Sequence, residues 1–267
     1  MNKKDELNLL RSGIVITLRC TLKCKLCGGY APYYAIPPHF SYEEIKETVQ
    51  NYFSIINYVE DFSITGGEPL LHKDLDKILK SVIEYSDQIG RILILTNGTI
   101  EFSDDVINVI KSNKKCHVTI SDYGKLSSKV DHIVNELEKN NISYRVIEYS
   151  GNNTFCDGWV DYGDHKKKHF TQEEIDEKAR KCAIRNRKVS IVINGELHSC
   201  GRSMRRMELG IIPKNPNEYV DLNDKKVSIE EKRLRINRMY ESVSTTSCAY
   251  CNGLCEDSER FPSAEQL

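Results

Sequence analysis

The sequence predicts an α/β chain: a partial (β/α) barrel of about five parallel strands, open and TIM-like, followed by a small cysteine-bearing C-terminal unit. Three observations predict it. Short apolar runs alternate with amphipathic helical stretches through the first 150 residues, the rhythm of βα units with right-handed crossovers. That rhythm then stops. Of the ten cysteines, three follow the first strand at close spacing and three more lie together near the end.

Ile14–Leu18 is a compact apolar strand. After a loop, Tyr42–Ile56 carries Ile45, Val49, Tyr52, Phe53 and Ile56 at helical spacing, with Ser41 as N-cap. Phe62–Ile64 is the second strand and Leu75–Tyr85 its helix, with Leu75, Ile78, Leu79, Val82 and Ile83 on one face. Ile92–Leu95 and a helix at Asp104–Lys111 come next, then Val118–Ile120 with Lys129–Lys139, and Tyr144–Ile147 as strand five. Residues 150–170 are rich in Gly, Asn and Asp with no apolar period, which predicts a long loop. A charged helix, Gln172–Arg180, leads to Cys182. Lys188–Ile193 and Glu196–Ser199 flank Asn194-Gly195, a hairpin signal. A helix over Ser228–Tyr240 precedes the last cysteines. The expected division is a barrel core over 1–170 and a C-terminal unit over 171–267.

Composition excludes several classes. The 38 Lys+Arg nearly cancel 39 Asp+Glu, so no global field recruits nucleic acid or an anionic membrane. The apolar runs are too short to span a bilayer, and MNKKDELNLLRSG lacks the apolar stretch of a signal peptide. The expectation is a cytoplasmic protein without nucleic-acid or membrane partners. In a reducing compartment, clustered cysteines hold metal more often than disulfides.

Cys20, Cys24 and Cys27 form C-x3-C-x2-C directly after strand one. Three thiolates can hold three corners of a [4Fe–4S] cubane and leave the fourth iron open, whereas structural zinc needs four closed ligands. Spacing alone leaves both open. Gly66-Gly67-Glu68-Pro69 follows strand two. Its glycines permit close backbone approach to a ligand, and Glu68 offers an acceptor for an ammonium group. Asn97 after strand three and Ser121 after strand four add polar groups on the same rim, where β/α barrels build active sites.

Together these residues resemble the radical S-adenosylmethionine (SAM) family. Cys20, Cys24 and Cys27 match its cluster motif, and Gly66, Gly67, Glu68 and Pro69 match its motif for the methionine amine; the resemblance covers residues 13–150. Leu26 departs from the pattern, since the family commonly places an aromatic there. The resemblance implies that the open iron chelates SAM and that one electron cleaves it to a 5′-deoxyadenosyl radical, which takes a hydrogen from substrate. It also implies an external one-electron reductant such as flavodoxin or ferredoxin, and makes Asn97 and Ser121 candidates for SAM contacts.

Cys182, Cys200, Cys248 and Cys251 make a complete four-thiolate set. On spacing alone this is equally a zinc ribbon. After a radical SAM barrel it resembles the abbreviated auxiliary-cluster domain called Twitch, related to SPASM, which implies a second [4Fe–4S] cluster. The gaps between these cysteines resemble those of family members that oxidise a secondary alcohol, implying a sugar-, polyol- or aminocyclitol-like small substrate. Competing expectations are a radical epimerase, with Cys156 or Cys255 as hydrogen donor, a ribosomal-peptide maturase, and a zinc-binding module without catalysis. Cys116 reads as packing. His165 and His169 could share a helical face as metal ligands, but read more simply as solvated loop residues.

Overall fold

The computed structural model describes residues 6–151, 154–162 and 164–267; positions 152, 153 and 163 of the expected long loop lie outside the described residues. The βα alternation is present: β1 (Asn8–Thr17), α1 (Tyr42–Ile55), β2 (Tyr58–Gly66), α2 (Leu75–Ile83), β3 (Ile89–Thr96), α3 (Asp104–Lys111), β4 (Cys116–Asp122), α4 (Val130–Lys139) and β5 (Ser143–Glu148). Beyond it come α5 (Gln172–Lys181), α6 (Ala183–Asn186), β6 (Val189–Ile193), β7 (Glu196–His198), α7 (Gly201–Glu208), β8 (Tyr219–Asp221) and α8 (Ile229–Glu241).

All eight strands form one sheet in the order β5-β4-β3-β2-β1-β6-β7-β8. The pairs from β5 across to β6 are parallel; β7 and β8 then turn antiparallel. The parallel part thus has six strands where five are expected. The difference is β6, which reads from sequence only as one strand of a hairpin. The Asn194-Gly195 turn is present, but β6 pairs with β1 in parallel, Arg11 to Ile14 against Val189 to Val192. The sheet therefore continues across the expected boundary at residue 170.

The strands also start earlier than their apolar runs, and one charge ladder explains why. Arg11, Asp61 and Arg91 are register partners on β1, β2 and β3. Arg91 grips Asp61 in a two-pronged bond (Nε to Oδ1 2.7 Å, Nη2 to Oδ2 2.9 Å), and Arg11 Nε lies 3.3 Å from the same carboxylate. A buried carboxylate inside a strand is tolerable because it is paired on both sides. Read singly, each charge breaks the strand pattern.

Helix α1 begins at a reciprocal cap: Glu44 N–H donates to Ser41 Oγ (3.3 Å) while Ser41 N–H donates to Glu44 Oε2 (2.7 Å). Ile45, Val49, Tyr52 and Phe53 then bury one face, and α2 buries Leu75, Ile78, Leu79 and Val82. At about 1.5–3 kcal/mol per fully buried side chain, this packing rather than propensity holds the helices on the sheet. The same core leaves the carboxyl ends of β1 to β4 projecting past it as a rim of loops. Residues 164–170 form no helix, so His165 and His169 share no helical face. His169 is half-buried, with Nε2 3.2 Å from the Cys251 carbonyl. Among the described residues, no helix is long and apolar enough to cross a membrane.

Candidate active site

The loop leaving β1 carries the first three cysteines over the rim. Cys27 N–H donates to the Cys24 carbonyl (3.2 Å), closing a turn that gathers the thiols. Cys24 is buried and the other two half-buried; all ten cysteines are free thiols. Burial pushes the Cys24 thiol up to about 11 and raises that of Cys20, each further raised by the neighbouring cysteines. Holding metal there requires these thiols to release protons, so iron uptake is favoured by higher pH. Cys20 Sγ accepts from Leu22 N–H (3.4 Å) and from Asn97 Nδ2 (3.5 Å). Asn97, expected to face cofactor, thus also braces the first cysteine and Thr21 Oγ1 (3.1 Å).

Gly66 and Gly67 leave no room for a Cβ. A Cβ on Gly66 would collide with the Thr17 carbonyl, and one on Gly67 with the Arg19 carbonyl. Gly67 and Glu68 N–H donate to those same two carbonyls, each at 2.8 Å. The close approach is between this turn and the chain entering the cysteine loop, which fixes the two motifs against each other.

Glu68 is held from within the protein. It is fully buried, and its carboxylate already holds three internal donors: Leu70 N–H on Oε1 (3.1 Å), Asn97 N–H (2.8 Å) and Thr96 Oγ1 (3.1 Å) on Oε2. The group expected to receive an ammonium also ties the end of β2 to the end of β3. Burial raises its carboxyl from 4.5 to about 6, with those hydrogen bonds opposing. Glu68→Gln points an amide NH2 at one of these N–H donors, whichever way it turns. We expect a loss of about 1–3 kcal/mol, read as a lower melting temperature of the metal-free chain. Because Glu68 ionises earlier in the unfolded chain, its wild-type contribution falls as pH rises from 4.5 to about 6; the variant should lack that slope. Pro69 is buried and opens the short turn Pro69–Leu71, and Ser121 is half-buried at the end of β4. Beyond Ser121, Trp159 stands edge-on to Tyr123 (5.6 Å between centroids) and Tyr149 (6.4 Å), giving the rim an aromatic wall.

Cys182, Cys200, Cys248 and Cys251, scattered over 70 positions of sequence, line a single small cavity. Three of the four sulfurs face main-chain N–H donors: Leu254 to Cys182 (3.4 Å), Gly253 to Cys251 (3.3 Å) and Thr245 to Cys248 (3.5 Å). Arg202 and Arg185 line the same cavity. Arg206 is fully buried beside it, bonded to Ser247 Oγ (2.8 Å) and the Tyr250 carbonyl (2.7 Å). Amide donors on sulfur and guanidinium charge around it are what an anionic iron–sulfur group needs, so these residues fit one. Among the described residues, no three His, Cys, Asp or Glu side chains converge on a single-ion position.

Arg202 joins the two cysteine sets. It lies over the Tyr162 ring (3.7 Å), and its Nη2 would be 3.0 Å from a Cβ on Gly28, next to Cys27. It also lines a cleft between the sets, with Leu18, Gly29, Gly66, Cys200 and Met204. The only sequence signal for it was the basic run after Cys200, GRSMRR. Of the two candidate hydrogen donors, Cys255 lies beside the second set, against Gly253 of the same cavity. Cys255 is buried with Sγ toward the Lys178 carbonyl (3.8 Å); Cys156 is exposed on a left-handed turn beyond Tyr149. Cys116 sits in the core, as expected, its thiol pushed up to about 12 by burial.

Residues 14–121, holding Cys20, Cys24, Cys27 and the Gly66–Pro69 turn, match the family model described as the radical SAM superfamily. This chain carries a radical SAM domain. The chain is 36% identical over 107 residues to a GTP 3′,8-cyclase of Campylobacter jejuni subsp. doylei, covering 39% of this chain and 32% of that protein. A GTP 3′,8-cyclase of Aliarcobacter butzleri is 34% identical over 87 residues, 32% of this chain and 26% of that one. The chain thus matches a third or less of these curated relatives' length. Over nearly the whole chain, the fold is similar to that of BtrN, a 2-deoxy-scyllo-inosamine dehydrogenase, solved in complex with AdoMet and 2-DOIA. The TM-score is 0.59 at 13% identity, covering 96% of this chain and 99% of that one. It is also similar to anSMEcpe with bound AdoMet, at TM-score 0.58 and 13% identity, covering 95% and 93%. The family of this domain implies a [4Fe–4S] cluster and SAM.

Proposed function

We propose that this chain is a two-cluster radical SAM oxidoreductase that converts a secondary alcohol on a sugar- or aminocyclitol-like molecule to a ketone. The observation that carries the reading is the second cysteine set. It lines its own cavity, with amide donors on its sulfurs, and Arg202 connects it to the loop of the first set.

Cys20, Cys24 and Cys27 would hold the SAM-cleaving cluster, and Cys182, Cys200, Cys248 and Cys251 the auxiliary one. When bound, the first cluster and SAM supply a one-electron cleavage that creates a hydrogen-abstracting carbon radical. The chain's own residues do the positioning. Gly66 and Gly67 fix the turn against the cysteine loop, Asn97 braces Cys20, and Tyr123, Tyr149 and Trp159 shield the rim from water. Oxidising an alcohol removes two electrons and two protons. One hydrogen atom goes to the abstracting radical, the hydroxyl proton to solvent, and the remaining electron to an acceptor. The cavity of the second set lies beside the cleft and suits that acceptor. We assign entry of the first electron to an external reductant of the flavodoxin or ferredoxin class, and the C-terminal unit over 171–267 to Twitch-type chemistry on the shared sheet.

The likeness to GTP cyclases covers 32% to 39% of this chain and leaves the substrate undefined. The test is anaerobic reconstitution followed by turnover. Two cubanes give about eight irons per chain, and oxidation gives a product two mass units lighter than substrate. A product of unchanged mass that gains one deuterium from heavy water would replace this reading with epimerisation. A colourless chain holding zinc would end it.

A further inference from the structure

We propose that Gln266 is a positioning residue for the SAM-cleaving cluster, presenting an N–H to the sulfur of Cys24; this rests on the assignment of Cys20, Cys24 and Cys27 above. Residues 261–267 lie across the rim and are stitched down at two places. Phe261 exchanges both main-chain hydrogen bonds with Trp159 (2.8 and 2.9 Å), next to the aromatic wall. Further on, Gln266 pairs with Cys24 as an antiparallel bridge, with Lys25 N–H on the Glu265 carbonyl (2.7 Å) and Leu267 N–H on the Lys23 carbonyl (2.9 Å).

The Gln266 side chain completes this strap in one orientation only. Its Oε1 accepts from Lys23 N–H (2.8 Å), while Nε2 donates to the Ala264 carbonyl (2.7 Å) and to Cys24 Sγ (3.4 Å). A flipped amide would set N–H against N–H at Lys23, and oxygen against both the Ala264 carbonyl and the sulfur. The neighbours therefore specify that the group facing Cys24 is a donor. The strap also buries Cys24, which is 7% exposed. A ligand sulfur becomes more negative when its cluster is reduced, so an N–H on it stabilises the reduced form and raises the potential. In a low-dielectric setting the bond is stronger than it would be in water. Gln266 thereby makes the cluster easier to reduce, some 240 positions away in sequence.

The experiment is potentiometric titration of the full chain, following the paramagnetic signal that changes when SAM is added, which reports only the cluster with an open iron. Gln266→Ala removes the donor, and the midpoint should move to more negative potential. Gln266→Glu keeps the acceptor for Lys23 N–H but replaces the donor with a negative oxygen, so its shift should be larger in the same direction. The double variant Lys25→Met with Glu265→Gln removes the Lys25–Glu265 ion pair (3.4 Å) at unchanged net charge and loosens the strap without touching the N–H to sulfur contact; its midpoint should match wild type. Equal midpoints in all four proteins would overturn the proposal. Equal shifts in the Lys25→Met, Glu265→Gln double variant and in Gln266→Ala would also overturn it, as would loss of iron from both Gln266 variants, since either assigns the strap to loop folding alone. A wild-type chain with no SAM-responsive signal would instead refute the underlying cluster assignment.

Discussion

With Cys20, Cys24 and Cys27 all replaced by Ala, the chain should form no 5′-deoxyadenosine and keep about half its iron. The loss is complete rather than graded because the three thiols act as one ligand set, and cleavage needs an iron that has both a cage and an open position. The three sit on a single loop fixed at both ends. Gly67 and Glu68 N–H hold Thr17 and Arg19 before it, and residues 265–267 pair with Lys23 to Lys25 along it. Three Ala side chains keep those main-chain contacts, so the fold should survive and the remaining iron should report the second set. Measuring iron together with SAM cleavage checks the assignment; continued cleavage in the variant would refute it.

Cys248→Ala should have the opposite pattern: SAM cleavage retained, oxidation of substrate lost, and iron again near half. Cys248 lines the auxiliary cavity, with Thr245 N–H 3.5 Å from its sulfur. Burial lifts its thiol to about 11, so the site favours it only when metal displaces the proton. Removing one of four closing ligands opens that cage, and the electron left on the substrate then has no acceptor within the chain. Cys156→Ala, by contrast, should leave turnover intact, since Cys156 is exposed on its turn and belongs to neither set. Turnover that survives Cys248→Ala and fails in Cys156→Ala would reverse the choice between oxidation and epimerisation.

The barrel strands and their helices were legible because each buries one face, and burial imposes a period on the sequence. The charge ladder was not legible. Arg11, Asp61 and Arg91 look like strand breakers until register sets them side by side. Strand β6 was misplaced for a related reason: Asn194-Gly195 announces a hairpin truthfully, but a local turn says nothing about which strand lies on the other side. Strand β8 and helix α6, at three and four residues, are too short to show any period.

The candidate site divides along the same line. The sequence by itself determined that a C-x3-C-x2-C loop follows one barrel strand and a Gly-Gly-Glu-Pro turn the next, because ligand spacing and strand ends are local properties. It also named the seven candidate ligands. Only the tertiary structure decided what each neighbouring group does. Glu68 spends its carboxylate on Leu70, Thr96 and Asn97, and Gly66 and Gly67 make room for a carbonyl of the chain itself. Arg202 reaches Gly28, and Gln266 reaches Cys24. Those roles depend on contacts between residues tens to hundreds of positions apart, and such contacts leave no period, spacing or composition for a sequence to display.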